Sequence, residues 1–318
     1  MVKPPSSNGD AKEALISVGD LLKEGQLALD PTSSSSRLDS EVLLMAALGV
    51  SRSGLIIALR DPCQASVCQR FRQFIERRQH GEPVAYIINE REFWGLAFEV
   101  NPNVLVPRPE TELVVEEALK SLAGVPRTET ITVLDLGTGS GCIAVSIVSE
   151  LQKQKFKMIE CDALDVSAQA IDVAKRNAER HGVGKQINFI HGSWYDENLP
   201  LKTSYDLIVA NPPYIDPCEV TPVELSFEPR SALFSDERGL ADTKRMLSLA
   251  LPLLSKRGVL LVEVGAGKRA LLNDLVEPYR NCFNISYLGD NSEVDRFCVV
   301  RISVKCGGDS LIKPIGHF

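Results

Sequence analysis

The chain has no apolar run of the ~18–20 residues needed to cross a bilayer, and its longer stretches, residues 43–50 and 259–264, are of core length. No membrane-spanning helix is expected. Aromatics make up only 6% of the chain, and histidine occurs four times in 318 residues. Those histidines (His80, His181, His191, His317) share no ligand spacing with each other or with the eight cysteines, so no metal site is expected. The cysteines form no Cys-x-x-Cys pair and no framework spacing, which points to reduced thiols in a reducing compartment. An excess of positive charge is missing as well. The 35 Lys and Arg stand against 42 Asp and Glu, and a net charge of −7 disfavours a protein built to hold nucleic acid by its phosphates.

What is present is the composition of a globular chain, 44% hydrophobic and 24% charged, long enough for one full core and a smaller companion domain. Charge is unevenly placed: residues 1–80 carry ten basic and nine acidic side chains, leaving 25 basic against 33 acidic for residues 81–318. Residues 1–10 offer nothing to bury and read as a flexible tail. They hold no apolar stretch of the secretory kind. The acids Asp10 and Glu13, with no arginine before Arg37, speak against a presequence, so a cytoplasmic location is expected, with a mitochondrial or plastid one open if the start is incomplete.

Residues 11–82 repeat apolar side chains at helical spacing (Val18, Leu21, Leu22; Val42, Leu43, Ala46, Ala47; Val67, Phe71, Phe74, Ile75), which predicts a small N-terminal helical bundle. Arg70, Arg72, Arg77 and Arg78 crowd its last helix, either as a solvated face or as a contact surface for a partner. Residues 83–107 read as a β-hairpin linker: a strand at 84–88, a polar turn at 89–92, and a second strand at 93–100. From 108 to 304, strands at 131–136, 158–164, 187–190, 205–210, 259–264, 283–288 and 297–302 alternate with amphipathic helical segments. That alternation predicts an α/β domain, a mostly parallel, doubly wound sheet whose ligand lies beyond the C-terminal strand ends. Residues 305–318 carry no motif and read as a second tail.

The chemistry-bearing residues sit at predicted strand ends. Gly137-Thr138-Gly139-Ser140-Gly141 follows the first strand, where glycines let backbone N–H groups approach a ligand closely. A dinucleotide fingerprint would need glycine at Cys142, and Asp135 just upstream suits a cationic ligand better than a pyrophosphate. Asp165 closes the second strand, placed either to take both hydroxyls of a ribose or to cap the next helix, a task Ser167 could also perform. Trp194, after the third strand, is either core or the cover of an adenine face. The fourth strand ends in Asn211-Pro212-Pro213-Tyr214. Two prolines stiffen the backbone, so the Asn211 side-chain oxygen and the Pro212 carbonyl form a rigid pair of acceptors for a planar NH2 group, on which Tyr214 could stack.

This tetrad, with the glycine loop, resembles class I S-adenosylmethionine methyltransferases acting on planar NH2 groups. The segments 82–87, 91–94, 106–112 and 227–233 narrow the resemblance to the release factor glutamine methyltransferases, the PrmC/HemK family, over residues 17–302. The resemblance implies a seven-stranded class I methyltransferase sheet and S-adenosyl-L-methionine as cofactor, held by Asp135, Gly137, Thr138, Gly139, Ser140, Gly141, Asp165, Trp194 and Asn211. It implies Asn211, Pro212, Pro213 and Tyr214 as the substrate grip, with Asn211, Pro212 and Tyr214 catalytic. Arg108, Glu110 and Thr111 orient the cofactor or a docking loop, or cap a helix. The implied partner is a class 1 peptide chain release factor, through the glutamine of its Gly-Gly-Gln loop, with no nucleic-acid substrate, no membrane and a monomeric state. Methylation of a ribosomal protein glutamine, of a nucleic-acid adenine, or a non-catalytic binding role remain the alternatives.

Overall fold

A computed structural model of the protein describes residues 16–265, 267–288 and 297–305; the tail expected at 1–10, and 306–318 of the second tail, lie outside the described residues. The chain divides into two units, residues 1–88 and 89–318.

The first unit is helical: α1 (Val18–Leu29), α2 (Ser36–Leu48), α3 (Arg52–Ala58), α4 (Ala65–Gln79) and α5 (Val84–Ile88). Ser17 is extended and its hydroxyl accepts the Asp20 amide, which starts α1. Leu21, Leu29, Leu43, Leu44, Phe71 and Ile75 are buried in one cluster, each such side chain contributing roughly 1.5–3 kcal/mol by leaving water. Three of the four crowded arginines are engaged within this unit. Arg72 pairs with Glu24 at 2.7 Å, Arg77 with Glu82, and Arg78 with the buried Asp39 at 2.7 Å, while Arg70 is exposed.

Residues 84–88 correct the hairpin expectation, because they form α5 and not a strand. A short, continuous apolar run cannot be assigned by periodicity, and here the carbonyl of Pro83 accepts the amides of Tyr86 and Ile87 and closes a helical turn. The hairpin begins one segment later, with β1 (Glu90–Phe93) antiparallel to β2 (Leu96–Glu99). Trp94 and Gly95 turn it at φ 55° and 67°, the mirror-image geometry that matches strand twist.

The second unit continues with α6 (Glu112–Leu122), β3 (Thr130–Leu136), α7 (Cys142–Lys153), β4 (Met158–Asp165), α8 (Ala168–Arg180), β5 (Ile187–His191), β6 (Tyr205–Ala210), α9 (Asp236–Gly239), α10 (Ala241–Ala250), β7 (Leu254–Gly265), α11 (Arg269–Val276), β8 (Phe283–Leu288) and β9 (Phe297–Val304). The main sheet has seven strands in the order β5-β4-β3-β6-β7-β9-β8, parallel except where β9 pairs with β7 and β8. All six residues of β6 are buried. Leu207 and Val209 face the cluster built on α6 and α7, whereas Ile208 and Ala210 face the cluster built on α10 and α11, which is why the strand reads as an unbroken apolar run.

The order reverses between β3 and β6, the switch point where an open α/β sheet leaves a crevice. Register then decides what meets there. Leu136 lies beside both Leu164 and Ala210, Asp165 beside His191, and Ala210 beside Val262. The glycine loop, Asp165, Asn211 and Glu263 therefore leave neighbouring strands at one level.

Candidate active site

The glycine loop is held by its own backbone. The amides of Gly137 and Thr138 both donate to the Leu164 carbonyl at 2.9 Å, and the Gly141 amide donates to Thr138 O at 2.8 Å. Gly137 has φ 77°, and a Cβ there would stand 3.2 Å from the Trp194 ring. A side chain at this position meets strain and crowding together. Asn177 on α8, wholly buried, donates to Ser140 O at 2.8 Å and to Glu99 O at 3.0 Å, and accepts the Glu99 amide, so it ties the loop to the hairpin.

Asp135 is fully buried under this loop. Its Oδ2 accepts the Thr138 hydroxyl at 2.7 Å, and its Oδ1 has no hydrogen-bond partner. Burial pushes its carboxyl up to about 7, the Thr138 bond pulling the other way and the Asp165 charge adding to the rise. Asp165 accepts the Gly139 amide at 2.8 Å on Oδ2 and the Ser167 amide at 2.9 Å on Oδ1. The cap of α8 is Ser167, whose hydroxyl accepts the Ala170 amide at 3.2 Å. Asp165 is thus left to the crevice, with a lone pair remaining on each oxygen.

A cavity of about 300 Å³ opens here, within the range of small-molecule pockets. Gly137, Thr138, Gly139, Ser140, Asp165, Trp194, Asn211 and Pro213 line it, with Val104, Leu105, Ile143 and Val166 as apolar wall. Trp194 donates its indole N–H to Asp242 at 3.0 Å, and Asp242 accepts the Ser235 hydroxyl at 2.6 Å, so the ring is fixed in plane. Asp135, Gly141, Pro212 and Tyr214 do not line the cavity, though Gly141 starts α7 and Pro212 is buried. Tyr214 lies on β7. A Cβ on Gly265 would be 2.4 Å from its ring, and burial raises its phenol well above the usual range.

Four residues at the site were given no role by sequence reasoning. Glu228 is buried and binds the Val106 amide at 2.9 Å and the Arg108 guanidinium, joining two segments that bound the cavity mouth. Asn177 and Asp242 act as described. Glu263, 1% exposed, accepts the Thr111 hydroxyl at 2.6 Å, and Asn211 Nδ2 donates to the same Thr111 oxygen at 3.4 Å. A carboxylate inside Val-Leu-Leu-Val-Glu-Val-Gly was the available signal, since a charge rarely stands in a strand buried on both faces without a partner. Burial pushes its carboxyl up to about 7, against hydrogen bonds from Thr111 and Asn211 and the charge of Arg108, while Glu110 adds to the rise.

The arrangement offers amides and a carboxylate at a nucleoside-sized cavity, one flat aromatic wall, and an oriented carboxamide. It offers no activated thiol, because burial pushes the Cys142 thiol up to about 12.

A family model described as the PrmC N-terminal domain matches residues 20–88, and one described as the methyltransferase small domain matches residues 115–225. A release factor glutamine methyltransferase of Nitratidesulfovibrio vulgaris is 37% identical over 83% of this chain and 88% of its own length. Those of Coxiella burnetii and Bordetella pertussis are 38% and 42% identical, over 79% and 72% of this chain and 87% and 82% of theirs. Among solved structures, the hMettl16 catalytic domain aligns with a TM-score of 0.51 at 15% identity, over 74% of this chain and 82% of that one, a likeness of fold alone.

Proposed function

The chain belongs to the release factor glutamine methyltransferase family, and from that premise we propose that it methylates the side-chain amide nitrogen of the Gly-Gly-Gln glutamine in a class 1 peptide chain release factor, using S-adenosyl-L-methionine. One observation carries the reading: register brings the glycine loop, Asp165 and Asn211 to one end of the sheet around a single cavity.

The residues fit such a cofactor. Both Asp165 oxygens can accept from ribose hydroxyls, the loop 137–141 presents backbone amides, and Trp194 with Val104 and Val166 walls the space an adenine ring requires. When bound, S-adenosylmethionine supplies a methyl carbon on a sulfonium, ready for a one-step displacement. What the chain supplies is the nucleophile's placement. An amide nitrogen is a weak nucleophile because its lone pair is delocalised; Asn211 Oδ1 and the Pro212 carbonyl accept its two protons and aim the nitrogen, which converts a random encounter into an in-line one. The apolar wall keeps water away, strengthening both hydrogen bonds. No base is required before transfer, since methylation makes the nitrogen far more acidic and its proton leaves afterwards. The release factor is the partner, met as a protein and not as a nucleic acid, by a monomer in the cytoplasm; the acidic balance of residues 81–318 supports the choice of a protein.

The test incubates the protein and isotopically labelled S-adenosylmethionine with purified release factor, ribosomal proteins, DNA and RNA in parallel. Label in the release factor alone is expected; label in nucleic acid or ribosomal protein with none in release factor would overturn the proposal.

A further inference from the structure

Thr111 has one hydroxyl proton, and it goes to Glu263 Oε2 at 2.6 Å. Its oxygen can therefore only accept from Asn211, and the atom it accepts from is Nδ2 at 3.4 Å. An ionised carboxylate has no proton to give. The NH2 end of the Asn211 amide is thus turned toward Thr111 and, through it, Glu263, and its oxygen is the group left for the cavity.

We propose that Glu263, acting through Thr111, is the positioning residue that fixes the flip of the Asn211 amide, so that an acceptor and not a donor meets the reacting NH2 group. The inference rests on the reading of Asn211 given above. A carboxamide is nearly symmetric in shape, and packing alone does not choose between its two flips. A carboxylate does, because it accepts only. Once Glu263 takes up a proton, the chain of bonds can reverse: Glu263 donates to Thr111, Thr111 donates to Asn211 Oδ1, and the cavity meets an NH2 group that repels the substrate's own.

The groups facing Glu263 fit that role. Glu110 and Arg108 approach from the segment before α6 with opposing charges, Tyr214 lies across the end of β7, and Cys142 stands at the start of α7 with its thiol protonated. None of them supplies Asn211 with a competing acceptor among the described contacts. Protonation near pH 7 follows from burial, so methyl transfer is expected to fall as pH drops through that value.

The test compares wild type, Glu263→Gln, Thr111→Val and Thr111→Ser by steady-state kinetics across pH, with S-adenosylhomocysteine affinity measured by calorimetry. Glu263→Gln is expected to lower kcat by about tenfold to a hundredfold, leave that affinity within about twofold, and abolish the acid limb of the kcat profile. Thr111→Val is expected to lower kcat similarly, and Thr111→Ser to restore it. Wild-type kcat in Glu263→Gln, or an acid limb that survives the substitution, overturns the proposal; should that variant not fold, a wild-type rate in Thr111→Val does. The side-chain NH2 resonance of Asn211, identified by its loss in Asn211→Ala, needs no substrate. It is expected to titrate near pH 7 in wild type and not in Glu263→Gln, and a resonance insensitive to pH in wild type overturns the proposal even where the release-factor reading has failed. A wild type that methylates no release factor sinks that reading alone.

Discussion

Asn211 and Asp165 divide the work at the residue scale, and substitution should separate them. Asn211 offers the acceptor on which the amide nitrogen depends, so Asn211→Ala is expected to slow transfer by about 10²–10³-fold with S-adenosylhomocysteine binding nearly intact, as read by calorimetry beside single-turnover rates. Asp165→Ala should do the reverse first. It removes a half-buried acceptor that also anchors the Gly139 and Ser167 amides, and each charge-assisted hydrogen bond lost costs about 1.5–3 kcal/mol. Cofactor affinity is expected to fall about tenfold to a hundredfold. Equal loss of affinity in both variants would contradict this division.

Elements matter here through the levels at which they end. The glycine loop, the strand-end aspartate and the Asn-Pro-Pro-Tyr turn were legible in the sequence because each follows an apolar run, and β3, β4 and β6 stand where alternation placed them. The hairpin was misplaced because residues 84–88, apolar throughout, look alike as buried strand or buried helix. The Glu263 and Glu228 contacts were not legible either. Glu228 meets Val106 across 122 positions and Glu263 meets Thr111 across 152, and such pairings follow from register and loop return, which no local pattern encodes. Asn177 links two elements to the loop, and its removal exposes a distinct weakness. Asn177→Ala leaves the buried Ser140 carbonyl and the partly buried Glu99 backbone groups without this partner, at about 1–3 kcal/mol. A lower Tm and weaker cofactor binding are expected together, checked by thermal melts with and without S-adenosylhomocysteine.

For the whole molecule, two buried carboxyls set a pH dependence of stability. Glu263 holds its proton up to about pH 7 when folded, against an ordinary value of 4.5, and Asp135 likewise against 3.8. A group whose folded value is raised favours the folded state below its unfolded value, and that contribution is lost as pH rises through the folded one. Glu263→Gln should therefore show little stability difference from wild type near pH 4.5 and a growing advantage toward pH 7, read as a difference in Tm. The same variant is expected to be slower, so stability and activity part company. No single helix among the described residues is long and apolar enough to cross a membrane, and the net charge of −7 fits a protein substrate better than a polyphosphate one.

The most direct check on amide methylation is fragmentation mass spectrometry of the release factor's Gly-Gly-Gln peptide after incubation with S-adenosylmethionine and either wild type or Asn211→Ala. One methyl group on the glutamine side-chain nitrogen with wild type, and almost none with Asn211→Ala, is the expected result. An unmodified glutamine, or equal modification by both proteins, would contradict it.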